Sequence, residues 1–166
     1  MRREAITLAE KMHRKTKDHL RDYCTEAFRF YARWGSRDAY IKALIADLQR
    51  QKSGVNFSGV NFSGAGSPTE AALIRKEQVM REKAAEIADI DAAQMVMNVC
   101  EREVRMAVEM VYLDKPYEQL EWGDIKMRVH KASLVIPASE RNVYRYLRRA
   151  RMVFAEERGL RCKSWQ

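Results

Sequence analysis

The chain has little of what sheets, secreted domains and membrane proteins are built from: among 166 residues there are seven glycines, three prolines and three cysteines. So few turn-forming residues argue against a sheet protein and favour helices joined by a small number of loops. Cys24, Cys100 and Cys162 are odd in number and far apart. That rules out a disulfide framework or a metal knuckle and fits a reducing cytoplasm. No window approaches membrane-span length, and Glu10, Lys11 and Asp18 break up the N-terminal region before a signal-peptide core can form. The expectation is a cytoplasmic protein without membrane contact. His13, His19 and His130 lack ligand spacing, and Asp89 and Asp91 fall on different faces of a helix. Neither metal, cofactor nor paired-carboxylate chemistry is therefore expected, and the chain does not read as an enzyme.

What is present in quantity is charge, and it is unevenly placed. The net charge of +8 divides into +6 over residues 1–52, −3 over 53–138 and +5 over 139–166. Two basic ends around an acidic middle point to a polyanion, most economically nucleic acid, because neutralising phosphates supplies affinity of any sequence.

Apolar spacing places the helices. Leu8, Met12, Leu20, Tyr23, Cys24, Ala27, Phe28 and Tyr31 form one stripe from about Arg3 to Tyr31. Gly35 interrupts it, and Ser36 reads as the cap of a second helix carrying Ile41, Leu44, Ile45 and Leu48, which would complete a hairpin. This N-terminal region, residues 1–52, is expected to serve oligomerisation or partner contact, with its aromatic stripe of Tyr23, Phe28, Tyr31 and Trp34 in a core. From Ser53 to Pro68 the motif Gly-Val-Asn-Phe-Ser occurs twice, followed by Gly-Ala-Gly-Ser-Pro, which reads as a flexible linker. No Gly-Lys-Ser/Thr follows it, so it is not a phosphate-cradling loop.

A C-terminal helical domain, 69–166, is expected to follow. Ser67 and Pro68 open a charged, solvent-facing helix over Thr69–Ile90. A core helix over Asp91–Tyr112 comes next, with Val96, Val99, Cys100, Val104, Ala107, Val108 and Val111 on its buried stripe, ending at Asp114, Lys115 and Pro116. A short helix opens near Leu120. After a connector through Leu134, Val135, Ile136 and Pro137, Ser139 caps a last helix, so that a helix-turn-helix spans about 120–154.

The last helix divides cleanly. Val143, Tyr146, Leu147, Ala150, Val153 and Phe154 fall on one side, and Arg141, Tyr144, Arg145 and Arg148 on the other, flanked by Arg149 and Arg151. An α-helix fits the DNA major groove, where Arg grips guanine and Asn grips adenine in bidentate fashion. Arg141, Asn142 and Arg145, near the helix start, are the expected base readers, and Arg148, Arg149 and Arg151 the expected phosphate anchors. A membrane-surface helix is disfavoured because the apolar stripe is needed for packing.

The stretch Glu101–Leu160 resembles the C-terminal part of phage RinA/ArpU-type late transcription regulators, which is similar to the promoter-reading domain of sigma factors. The resemblance rests on Val108-Glu109-Met110-Val111-Tyr112-Leu113, on Leu120-Glu121-Trp122-Gly123-Asp124-Ile125 and on Ser139-Glu140-Arg141-Asn142-Val143-Tyr144-Arg145. It implies an activator of phage or prophage late genes in a bacterial host, acting on double-stranded DNA. Contact with RNA polymerase or with a second copy of the chain is the alternative role for the N-terminal aromatic stripe. A DNA-packaging protein of the small-terminase type is the alternative. The connector from Ile125 to Ser139 is about seven residues longer than a compact helix-turn-helix needs. A wing and an extended first helix would each absorb the excess.

Overall fold

The computed structural model describes residues 18–54 and 68–160, with side chains described for 18–50 and 73–160. Over these residues the chain is all-α, without a strand. The helices are α1 (His19–Trp34), α2 (Arg37–Gly54), α3 (Pro68–Glu82), α4 (Ala84–Val99), α5 (Arg102–Val108, continuing into a π-helical turn at Glu109–Leu113), α6 (Asp124–Val135) and α7 (Glu140–Glu157). None of them is long and apolar enough to cross a membrane.

Local chemistry sets the ends. The Asp18 carboxylate accepts a hydrogen bond from the Arg21 backbone N–H at 3.1 Å and caps α1. Gly35 closes that helix in the left-handed region at φ 73°, a conformation that favours glycine, and its N–H donates to the Tyr31 carbonyl at 2.8 Å. The Ser36 hydroxyl then accepts from Ala39 N–H at 3.2 Å, so the expected α1–α2 hairpin forms around its expected cap. Pro68 takes the first position of α3, where its missing N–H costs nothing. Leu8, Met12 and Ser67 lie outside the described residues, as does the linker between α2 and α3.

Expected boundaries move in the middle of the chain: the charged helix placed over Thr69–Ile90 ends at Glu82, and Ile87 and Ile90 are buried in the next helix because they pack against Tyr40. The helix placed over Asp91–Tyr112 is two: α4 begins at Ala84 and ends at Val99, where Cys100 and Glu101 are extended, and α5 restarts at Arg102. Val99, placed on the buried stripe, is 64% exposed, because it sits at the bend with its side chain outside. The break lets two short stripes meet the core from different directions. Ala92, Ala93, Val96 and Cys100 face it from the α4 side, and Val104, Ala107, Val108 and Val111 from α5.

α7 packs against α1, α4, α5 and α6. Phe28 of α1 stacks on Tyr112 with ring centroids 5.5 Å apart and meets Phe154 of α7 at 5.4 Å. Cys24, Ala27 and Phe28 therefore share one core with Val96, Val129, Leu147 and Phe154. The expected division near the linker separates the sequence, but α1 belongs to the same packing unit as the C-terminal helices. A smaller cluster of Tyr40, Ile87 and Ile90, flanked by Phe30, Trp34 and Met80, attaches α2 and α3 to it.

Polar ties reinforce these contacts. Asp89 accepts from Tyr23 Oη and from Arg158 Nε, each at 2.7 Å, linking α4 to α1 and to the end of α7. Tyr40 donates to Glu86, and Arg37 pairs with Asp91 at 3.2 Å. Burial raises the pKa of Tyr23, Tyr31 and Tyr40 above 10.0, and the carboxylates of Asp89 and Glu86 push Tyr23 and Tyr40 further in the same direction. A group whose pKa rises on folding keeps its stabilising contribution below its unfolded value and loses it as pH climbs toward the folded one. Stability should therefore hold up to about pH 10 and fall beyond it. Urea unfolding across that range should show a shallower alkaline loss for Tyr40→Phe than for the parent chain. An identical loss in both would mean that another group governs alkaline unfolding.

Candidate nucleic-acid interface

The α6-turn-α7 unit depends on where α6 starts and stops. Before it, Gly123 is left-handed at φ 98°, and the Asp124 carboxylate accepts from Glu121 N–H at 2.8 Å, which closes a tight entry into the helix. The helix opens four residues later than the sequence suggests, and Trp122 is left outside it, 99% exposed. At the other end Pro137 disfavours helical geometry at Ile136, which is extended and buried. Ser139 is also extended, and its hydroxyl accepts from Asn142 N–H at 3.4 Å as the expected cap of α7. The turn is thus four residues, 136–139. α6 reaches Val135 and absorbs the long connector as helix rather than as a wing. Leu134 and Val135, expected in the connector, are helical and exposed. His130 Nδ1 meets Glu140 Oε1 at 2.8 Å and braces the two helices across the turn.

Two buried arginines fix this unit to the rest of the protein. Arg128 of α6 donates to the carbonyls of Val111 and Asp114 at the C-terminal end of α5. Arg29 of α1, only 1% exposed, donates to Lys115 O and Pro116 O at 3.2 Å each and to Glu118 O. Helix C-termini leave carbonyls without partners and carry partial negative charge, so cations are well placed there. Burial, and then the charge of Arg128, lower the pKa of Arg29, but a guanidinium stays charged at any physiological pH. Lys115, at φ 51°, is held in a conformation that a non-glycine residue seldom adopts.

The two sides of α7 separate as the spacing predicts. Val143, Leu147, Ala150 and Phe154 are buried, Tyr146 and Val153 half-buried, and Arg141, Tyr144, Arg145, Arg148 and Arg149 exposed. Arg141, Tyr144, Arg145, Arg148 and Arg151 line one open cleft of about 920 Å³ between α7, α1 and the entry to α6. Asn142 and Arg149 do not line it. Arg149 pairs with Glu101 at 3.1 Å, and the half-buried Arg151 donates to Tyr112 Oη at 2.8 Å, so part of its capacity secures α7 to α5.

Sequence reasoning missed Trp122 and Lys126 on the rim of this cleft and the carboxylates of Asp18, Asp22 and Glu26 in its α1 wall. A tryptophan beside a left-handed glycine is a local signal that such a ring stands in a turn. No sequence signal brings α1 to this wall, because the approach is made by packing alone. Among the described residues, six cationic and three acidic side chains line the cleft, a net of +3. Among the described residues no cluster of His, Cys, Asp and Glu is arranged to hold a metal ion. The arrangement suits an extended polyanion approaching the exposed face of α7.

Replacing Arg128 by Met strips the Val111 and Asp114 carbonyls of their charged donor while keeping most of the side-chain volume. The expected loss is about 1.5–3 kcal/mol of unfolding free energy, the range for hydrogen bonds to charged groups. Denaturant titration checks it, and a change within about 0.5 kcal/mol, as for an ordinary surface substitution, would show that the loop is held by other contacts.

No family model, curated protein or solved structure matches this chain.

Proposed function

We propose that the protein is a sequence-specific regulator of transcription that binds double-stranded DNA through α7. One observation carries this reading. α7 follows a four-residue turn, buries Val143, Leu147, Ala150 and Phe154 on one side, and presents Arg141, Tyr144, Arg145 and Arg148 together on the side that faces solvent. A helix held from behind and lined in front with guanidiniums has the dimensions and donors that the major groove accepts.

Within the reading, Arg141 and Arg145 are the base readers, with Asn142 beside them near the helix start. Arg148 sits one turn further along, where a phosphate contact sets register. Arg149 and Arg151 act as phosphate anchors with divided duties, since each also holds an intramolecular partner. Lys126 adds positive charge on the rim. Activation of phage or prophage late genes is the specific role that the resemblance of Glu101–Leu160 supports.

Selection from a random duplex library supplies a preferred site for testing. Arg141→Ala and Arg145→Ala should each cost about 1–3 kcal/mol on that site and broaden the selected sequence, whereas Arg149→Ala should weaken all duplexes alike. Unchanged sequence preference in both reader variants would sink the assignment. Mass measurement in solution addresses the packaging alternative, for which a closed ring of many subunits is the expected state.

A further inference from the structure

The cleft beside α7 has walls of opposite sign. The α7 wall carries Arg141, Arg145 and Arg148, and the α1 wall carries Asp18, Asp22 and Glu26 one helical turn apart, with Arg21 between them, so that its described residues leave it net negative. These carboxylates are spaced to lie along one edge of α1, and they face the same open space as the guanidiniums. Of the three, Asp18 caps its own helix and Asp22 lies 3.5 Å from Arg21, an exposed pair that leaves the carboxylate in water.

We infer that the acidic edge of α1 is a built-in electrostatic brake on DNA binding by α7, an inference that rests on the DNA reading above. α1 packs directly against α7, and Asp18, Arg148 and Arg151 also line a second, smaller pocket together, so the two walls face each other across a gap comparable to the Debye length, about 8–10 Å at physiological salt. Any phosphate drawn to Arg141 or Arg145 is therefore repelled across the cleft by the carboxylates. The brake acts on the backbone-driven part of affinity, which depends on phosphate neutralisation and on the counterions it releases. It leaves the base-reading donors in place. The duplex is pushed away from α1 and toward the Trp122 and Lys126 rim, where no acidic side chain lines the cleft.

The edge is built into the fold. α1 is locked to the core through Cys24, Ala27 and Phe28, so its exposed carboxylates are held beside α7 rather than carried on a loose arm. Its position makes removal of charge, rather than movement of the helix, the way to release the brake.

The test compares the full chain with Asp18→Asn/Asp22→Asn/Glu26→Gln on the selected duplex and on an unrelated one, over a salt series. Asn retains the capping ability of residue 18. The double variant Asp22→Asn/Glu26→Gln leaves that residue untouched and guards against misfolding. A control triple variant, Asp47→Asn/Glu77→Gln/Glu82→Gln, removes the same charge from α2 and α3, outside the cleft. The cleft variants should bind both duplexes on the order of three- to tenfold more tightly at low salt, with a steeper salt dependence, from a few screened charge pairs of modest size. The control should change affinity by less than about twofold, since distant charges are screened. Equal gains in cleft and control variants, or no gain in either, overturn the brake while leaving DNA binding standing. Failure of the parent chain and every variant to bind any duplex overturns the DNA reading and the brake with it.

Discussion

Two buried guanidiniums hold the α6-turn-α7 end of this protein together. Arg29 and Arg128 come from helices distant in sequence, yet both spend their donors on main-chain carbonyls between Val111 and Glu118. Buried charge is costly unless its donors are satisfied, and orphan carbonyls at a helix end are costly unless they find donors. Each problem goes far to solve the other, although Arg29 Nη1 stays buried without a partner. The cost of bringing two like charges near one another is offset by a loop whose carbonyls point inward, and that loop leads directly into Trp122, Gly123 and α6. The position of the helix-turn-helix is thus set by main-chain capping, with side-chain packing adding to it.

From there the geometry propagates rigidly. α6 is fixed to α5 by Arg128 and to the core by Val129, Ala132 and Ile136. The turn at 136–139 is short, and His130 spans it to Glu140. α7 then buries a stripe running from Val143 to Phe154 and is tied at its far end by Arg158 to Asp89. The proposed DNA reading requires α7 to present its side chains at a defined angle, and a helix fastened at start, middle and end meets that requirement.

Much of this was legible in the residues. Period, caps and glycine placement located α1, the turn at Gly35 and Ser36, and both sides of α7, because these features are encoded within a few residues of one another. The break at Cys100 was not legible, for a physical reason. Val96, Cys100, Val104, Ala107, Val108 and Val111 keep helical spacing straight across it, so periodicity cannot distinguish one long helix from two short ones sharing a stripe. The length of α6 was equally open, since Ser133, Leu134 and Val135 are compatible with helix or connector, and the choice is made by packing of Ala132 and Ile136. The buried roles of Arg29 and Arg128 leave no local trace at all. In sequence they are two more cations in a basic chain.

Charge shows most clearly what a linear reading loses. Summed along the chain, residues 1–52 are strongly basic and seem to add to the positive field of the C-terminal helix. In three dimensions the described part of that region that lines the cleft with α7 offers it Asp18, Asp22 and Glu26 against the single cation Arg21. A segment's net charge predicts its long-range attraction, but the sign met by a ligand within a Debye length is decided by which edge of a helix turns inward. Phe28 decides it here. By stacking on Tyr112 and meeting Phe154, it fixes the rotation of α1 and thereby aims Asp18, Asp22 and Glu26 at the arginine wall. A residue in the hydrophobic core therefore sets the electrostatics of the surface beside it.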